Sequence, residues 1–195
     1  MGKTIKNGAF DLHGALRGNP VVPAVRGPDE DLEAALAGDY PAVFVLGGDI
    51  FEVLRKAKKR RDRPPVFVNV DLVGGVAGDA VGIRFLSQHV EGIISTNRHV
   101  IELANSAGLT TVQRLFAIDA GAIERGIRMI KRAKPRCIEI LPALAYPSMV
   151  ARYAEALNRP VLAGGLLTSE AEVSFILEAG ATGVSTSHRG LWRTP

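Results

Sequence analysis

The chain has 195 residues, 47% of them hydrophobic and 23% charged, with 21 Gly, 11 Pro and a single Cys. That composition excludes disordered, collagen-like and disulfide-stapled classes and predicts one globular domain over 1–195. The net charge of +4, from 24 basic and 20 acidic residues, is too mild to imply a polyanionic partner by itself.

Residues 1–20 read as an N-terminal extension, with a short helix expected within Gly8 to Asn19. From Val21 onward, short β-branched runs alternate with segments of helical periodicity. The expected strands are Val21 to Arg26, Ala42 to Gly47, Val66 to Leu72, Gly92 to Thr96, Thr110 to Phe116, Cys137 to Leu141, Val161 to Gly165 and Thr182 to Ser187. Between them, DEDLEAALA, IFEVLRKAKKR, AVGIRFLSQH, RHVIELANSAG, AGAIERGIRMIKRAK, PSMVARYAEALN and SEAEVSFILEAG carry apolar residues three and four apart, as helices packed on a sheet require. Asp29, Asp79, Asn97, Asp119, Ser148 and Ser169 stand near the expected helix starts, where a side-chain oxygen can accept an unpaired N–H. Gly108 and Gly180 stand just past helix ends.

Eight strand–helix repeats of about 22 residues predict a compact (β/α)8 TIM barrel rather than an open sheet, which usually has fewer strands and a G-x-G-x-x-G turn absent here. An eight-stranded open sheet is the alternative. The chain is short for a barrel, so its βα loops are expected to be short. The tail HRGLWRTP is then an abbreviated last helix anchored by Trp192, and the N-terminal helix closes the barrel floor. No apolar run reaches membrane-spanning length and MGKTIKNGAF has no secretory core, so the expected compartment is the cytoplasm. The lone thiol of Cys137 agrees with a reducing environment.

Ligands of such barrels bind at the C-terminal strand ends, which here form the mouth. Strand alternation points Arg26 and Asp71 into it and puts Glu139 inside the barrel. Arg26, Arg114, Asp71 and Glu139 can neutralise one another as an internal ionic layer, or the arginines can meet an anionic ligand while the carboxylates accept its hydroxyls. Gly164 and Gly165 close the seventh strand, and Ser185, Thr186 and Ser187 the eighth. Those strands are where many such barrels cradle phosphate on backbone N–H groups and hydroxyls. None of the seven lysines falls at a strand end, which disfavours Schiff-base chemistry. Of the four histidines only His188 stands near the mouth, and no spacing suggests a metal site. Asp71 and Glu139 have the chemistry of a general acid and base, but equally that of hydroxyl ligands. No catalytic residue and no cofactor is assigned.

The segments Pro23-Ala24-Val25-Arg26, Val70-Asp71-Leu72, Ile94-Ser95-Thr96, Gln113 to Asp119, Ile138 to Pro142, Ala163 to Leu166, and Gly183 to Ser187 with Leu191-Trp192 together resemble the glycerol-3-phosphate responsive antiterminators, regulators of glycerol uptake operons. The resemblance runs from Val21 to Trp192. It implies a barrel that senses sn-glycerol 3-phosphate and, when loaded, acts on leader mRNA of glycerol-utilisation operons, as a regulator rather than an enzyme. It carries ligand-site roles onto Arg26, Asp71, Gln113, Arg114, Glu139, Gly164, Gly165, Thr186 and Ser187. Asn69, Asn97 and Ala143 depart from the pattern, where a basic or aromatic-polar residue, a basic residue and Gly are expected. An isomerase or synthase acting on a small phosphorylated metabolite is the alternative, and a binding protein with a protein partner a third reading.

For RNA the expected surface is Arg55, Lys56, Lys58, Lys59, Arg60, Arg61 and Arg63, seven cations against Glu52 and Asp62. A second group, Arg125, Arg128, Lys131, Arg132, Lys134 and Arg136, follows the fifth strand, and both are expected toward the floor. Helix C-termini favour cations in any case. With 6% aromatic residues there is no stacking ladder for reading single-stranded bases. Self-association into a homo-oligomer is an open expectation.

Overall fold

The computed structural model describes residues 5–6 and 8–192; the side chains of 5 and 6, and the tail residues 193–195, lie outside what is described. Eight parallel strands form the barrel: β1 (Val21–Val25), β2 (Val43–Val45), β3 (Val66–Asn69), β4 (Gly92–Ser95), β5 (Thr110–Phe116), β6 (Cys137–Leu141), β7 (Val161–Gly164) and β8 (Gly183–Thr186). Closure is decided by the last pairing, in which Val184, Ser185 and Thr186 of β8 stand beside Val21, Val22 and Pro23 of β1. An open sheet would leave both of those edges unpaired.

The helices are α1 (Leu12–Leu16), α2 (Glu30–Ala37), α3 (Ile50–Lys58), α4 (Ala80–Leu86), α5 (Arg98–Ser106), α6 (Ala120–Ala133), α7 (Tyr146–Tyr153) and α8 (Glu170–Glu178). After β8 the chain makes only a 3-10 turn, Arg189–Leu191, in place of a full helix. Trp192 anchors it, buried against Tyr40 and donating Nε1–H to the Thr186 carbonyl at 2.9 Å.

Alternation along the strands sorts the core into two shells. Val22, Ala24, Phe44, Phe67, Ile94, Val112, Cys137 and Leu162 fill the barrel, and Phe10, Leu12 and Leu16 of the N-terminal segment join them. Val43, Val45, Val66, Val68, Ile93, Ile138 and Ile140 face outward onto the helices. Phe44 and Phe67 are fully buried, 5.5 Å apart between ring centroids, each worth about 2–3 kcal/mol in transfer free energy.

Five helix starts are capped at the expected residues: Asp29, Asp79, Asn97, Asp119 and Ser169 each accept a backbone N–H in the first turn. Ser148 is not a cap. The helix already begins at Tyr146, with Pro147 in its first turn, where a missing N–H costs nothing. Asp49, not anticipated from the sequence, caps α3 by accepting from Phe51 and Glu52. Several strands end short of their sequence limits. Arg26, Asp71, Thr96, Gly165 and Ser187 have left the ladder and stand on the βα loops around the mouth.

Candidate ligand site at the barrel mouth

Arg114 and Glu139 are register partners on β5 and β6, so their side chains emerge side by side on the inner face. The Glu139 side chain is 2% exposed and Arg114 11%. Arg114 donates Nε–H to Glu139 Oε2 at 2.9 Å, and Ser185 on β8 donates its hydroxyl to Oε1 at 2.5 Å. Burial pushes the Glu139 carboxyl above its ordinary range, opposed by the Arg114 charge and by hydrogen bonds from Ser185 and Arg114. The guanidinium also lies 5.2 Å from the centre of the Phe116 ring.

Gly164 makes this cluster possible. A Cβ at that position would stand 2.7 Å from Glu139 Oε1 and collide with the Ser185 hydroxyl. Gly165 follows with φ +79°, a left-handed conformation open to Gly, and Leu166 continues at φ +63° with its side chain exposed. Gly164 pairs with Ser185 in register, so the ends of β7 and β8 lie side by side, with exposed Ser187 just beyond. Arg26 extends past β1, the next strand round, exposed and without an ion-pair partner among the described residues.

Asp71 holds the opposite side of the mouth. Its carboxylate accepts from Ser95 Oγ at 2.5 Å, from the Thr96 N–H at 2.6 Å and from Thr96 Oγ1 at 2.8 Å, tying the loop after β3 to the loop after β4. A carboxylate has about four acceptor positions, so one remains for an incoming hydroxyl. Ser95 and Thr96 were not assigned from sequence, although two hydroxyl residues at a strand end were the visible signal.

Two predicted residues fall away from this group. Gln113 lies on the outer face of β5 between Thr111, which bonds Asn105 of α5, and Leu115, which packs against α6. Its amide is buried in the helix layer, not in the mouth. Thr186 likewise alternates outward; its hydroxyl accepts the His188 N–H at 3.0 Å and stabilises the turn after β8.

The basic run around α3 is partly neutralised. Arg55 is bonded to Glu52, Lys56 to Glu33, and Arg63 to Glu91 at 2.9 Å. The Arg63 side chain is only 12% exposed and also donates to the Pro64 carbonyl, so it is a structural residue rather than a free surface cation. Lys58, Lys59, Arg60 and Arg61 are exposed and unpaired among the described residues. Lys59 and Arg60 line a cleft between α2 and α3 with Glu33, Leu36, Arg55 and Lys56. The hydrogen bond and charge of Lys56, with Lys59 and Arg60 nearby, hold the Glu33 carboxyl below its ordinary range. On α6, Arg125, Lys131 and Arg132 are exposed, with Arg128 3.8 Å from Glu124. Among the described residues no helix is long and apolar enough to cross a membrane.

Comparison with known proteins adds a family to this geometry. The family model described as glycerol-3-phosphate responsive antiterminator matches residues 21–192. The uncharacterized protein YgcP of Escherichia coli K12 is 31% identical over 180 residues, covering 91% of this chain and 93% of its own. Among solved structures, a glycerol uptake operon antiterminator regulatory protein from Listeria monocytogenes superposes with TM-score 0.80 at 31% identity, over 89% of this chain and 95% of the other. A glycerol uptake operon antiterminator-related protein from Thermotoga maritima gives TM-score 0.75 at 32% identity, over 89% and 98%.

Proposed function

The chain belongs to the glycerol-3-phosphate responsive antiterminator family, and from that premise we propose that it binds sn-glycerol 3-phosphate at the barrel mouth and, when loaded, grips leader mRNA of glycerol-utilisation operons. It acts as a regulator and not as an enzyme. The observation that carries the ligand reading is the Arg114–Glu139–Ser185 cluster set against the Cβ-free backbone of Gly164.

The ligand phosphate sits over the ends of β7 and β8, on the backbone of Gly164 and Gly165 and the hydroxyl of Ser187, with Arg26 supplying charge. Arg114, which donates to Glu139, completes the anion site by turning from that carboxylate to the phosphate. Asp71 accepts a ligand hydroxyl with its remaining lone pair. A ligand that draws Arg114 away leaves Glu139 with Ser185 alone, so the loaded and free states differ in their ionic contacts, as any ligand-driven shift requires.

The RNA contact is made by Lys58, Lys59, Arg60 and Arg61, the cations of the α3 run that are exposed and unpaired. The test is fluorescence anisotropy of a labelled leader transcript of a glycerol-utilisation operon, titrated with protein with and without sn-glycerol 3-phosphate across a salt series. Tighter binding with ligand and a steep loss of affinity with salt is the expected result. Absence of RNA binding in both conditions would overturn the regulatory reading. Turnover of the ligand, abolished by replacing Asp71 or Glu139 while binding persists, would assign the barrel to an isomerase or synthase instead.

A further inference from the structure

Among the described residues, two buried side chains hold polar atoms without a hydrogen-bond partner: Gln113 in the helix layer and Asn69 in the barrel. Asn69 ends β3 on the same face as Phe67, two residues earlier, which belongs to the interior cluster, whereas Val68 packs outward. The residue is 0% exposed.

Its orientation is fixed. Asn69 Oδ1 accepts the backbone N–H of Asp71 at 3.0 Å, and exchanging the two amide atoms would set donor against donor. Nδ2 is therefore the atom left over, on a residue that faces the barrel interior at the end of β3. An unsatisfied buried donor costs about 1–3 kcal/mol, and folded proteins retain few of them without a reason.

We propose that Asn69 is a specificity-determining residue whose Nδ2 donates to a hydroxyl oxygen of a small phosphorylated polyol bound in the mouth. This rests on the ligand reading above and adds the residue that recognises the end of the ligand away from its phosphate. The phosphate cradle lies on β7 and β8; Asn69 lies on β3, across the barrel from it. A ligand anchored by its phosphate extends its hydroxyls toward Asn69 and Asp71. These two complement each other: Asn69 offers a donor, Asp71 an acceptor, and a hydroxyl can use both. Nδ2 is buried, so a ligand reaches it as side chains around the mouth shift. The contact then belongs to the loaded state alone, which is the differential interaction a sensor needs.

The experiment is isothermal titration calorimetry of wild type and Asn69→Leu with two ligands, sn-glycerol 3-phosphate and n-propyl phosphate, which shares the phosphate and carbon chain but has no hydroxyls. The expected result is a loss of about tenfold or more for glycerol 3-phosphate in the variant, with propyl phosphate changed by less than about twofold. Equal losses for both ligands would make Asn69 a purely structural residue and overturn the proposal, as would unchanged affinity for glycerol 3-phosphate. Failure of the wild type to bind glycerol 3-phosphate would overturn the ligand reading and this assignment together, and so is distinguishable from failure at Asn69 alone. If Asn69→Leu does not fold, Asn69→Ala, which removes the amide without adding bulk or charge, is measured against the same pair of ligands with the same expected selectivity.

Discussion

A single carboxyl, that of Glu139, sits where burial and its partners oppose each other, and burial prevails. With its pKa raised in the folded state, the native protein holds more protons at this site than the unfolded chain in the window above the ordinary value of 4.5. Its contribution to stability therefore falls as pH rises from 4.5 through the folded value. Thermal melts should show the difference in Tm between wild type and Glu139→Gln declining across that window; a flat or rising difference would contradict it. Gly164→Ala tests the same cluster sterically. With the new Cβ 2.7 Å from Glu139 Oε1, we expect destabilisation by about 1–3 kcal/mol in chemical denaturation and loss of ligand binding. Cys137 is a simpler case, because burial pushes its thiol up to about 12. Ellman's reagent at pH 8 should leave the native thiol unlabelled and label it in denaturant.

At the level of elements, the cations of one basic run divide into structural and free ones, and stability measurements separate them. Arg63→Ala removes the ion-pair contact to Glu91 and the hydrogen bond to the Pro64 carbonyl in a half-closed site and should destabilise by about 2 kcal/mol. Lys59→Ala, Arg60→Ala and Arg61→Ala should each stay within about 0.5 kcal/mol in urea melts while weakening RNA binding. Sequence could not make this division, because Arg63 and Glu91 are 28 positions apart and meet only when the strands assemble. Local signals fared better: the caps at Asp29, Asp79, Asn97, Asp119 and Ser169 act within one turn of backbone and were legible. Ser148 misled because a serine preceding a periodic run looks the same whether it caps a helix or lies inside its first turn. Glu139 and Asp71 were legible through strand alternation. By the same parity Gln113 and Thr186 face away from the mouth, and the resemblance and the hydroxyl cluster had drawn them in.

For the whole molecule, the closed ring of eight strands was legible because the βα repeat is counted along the chain, while closure itself depends on β8 meeting β1 over more than 160 positions. That closure brings Arg26, Ser185 and Ser187 to one side of the mouth and puts Asn69 and Asp71 on the other. Ligand at the mouth and RNA on the outer surface are then two linked equilibria. By linkage, RNA must tighten ligand binding by the same factor as ligand tightens RNA. Between 50 and 200 mM salt the RNA affinity should drop by at least about tenfold for a contact of several cations. Phosphate binding at the mouth is tested by calorimetric titration of sn-glycerol 3-phosphate into wild type and Gly165→Asp, with glycerol and inorganic phosphate as controls. Asp is among the few side chains that enter the left-handed region at all, and here it would set a carboxylate beside the phosphate cradle. Micromolar-range binding by the wild type, on the order of −8 kcal/mol, and its loss in the variant are the expected results. Undiminished binding by Gly165→Asp, or no binding by the wild type, would contradict the ligand site at the mouth.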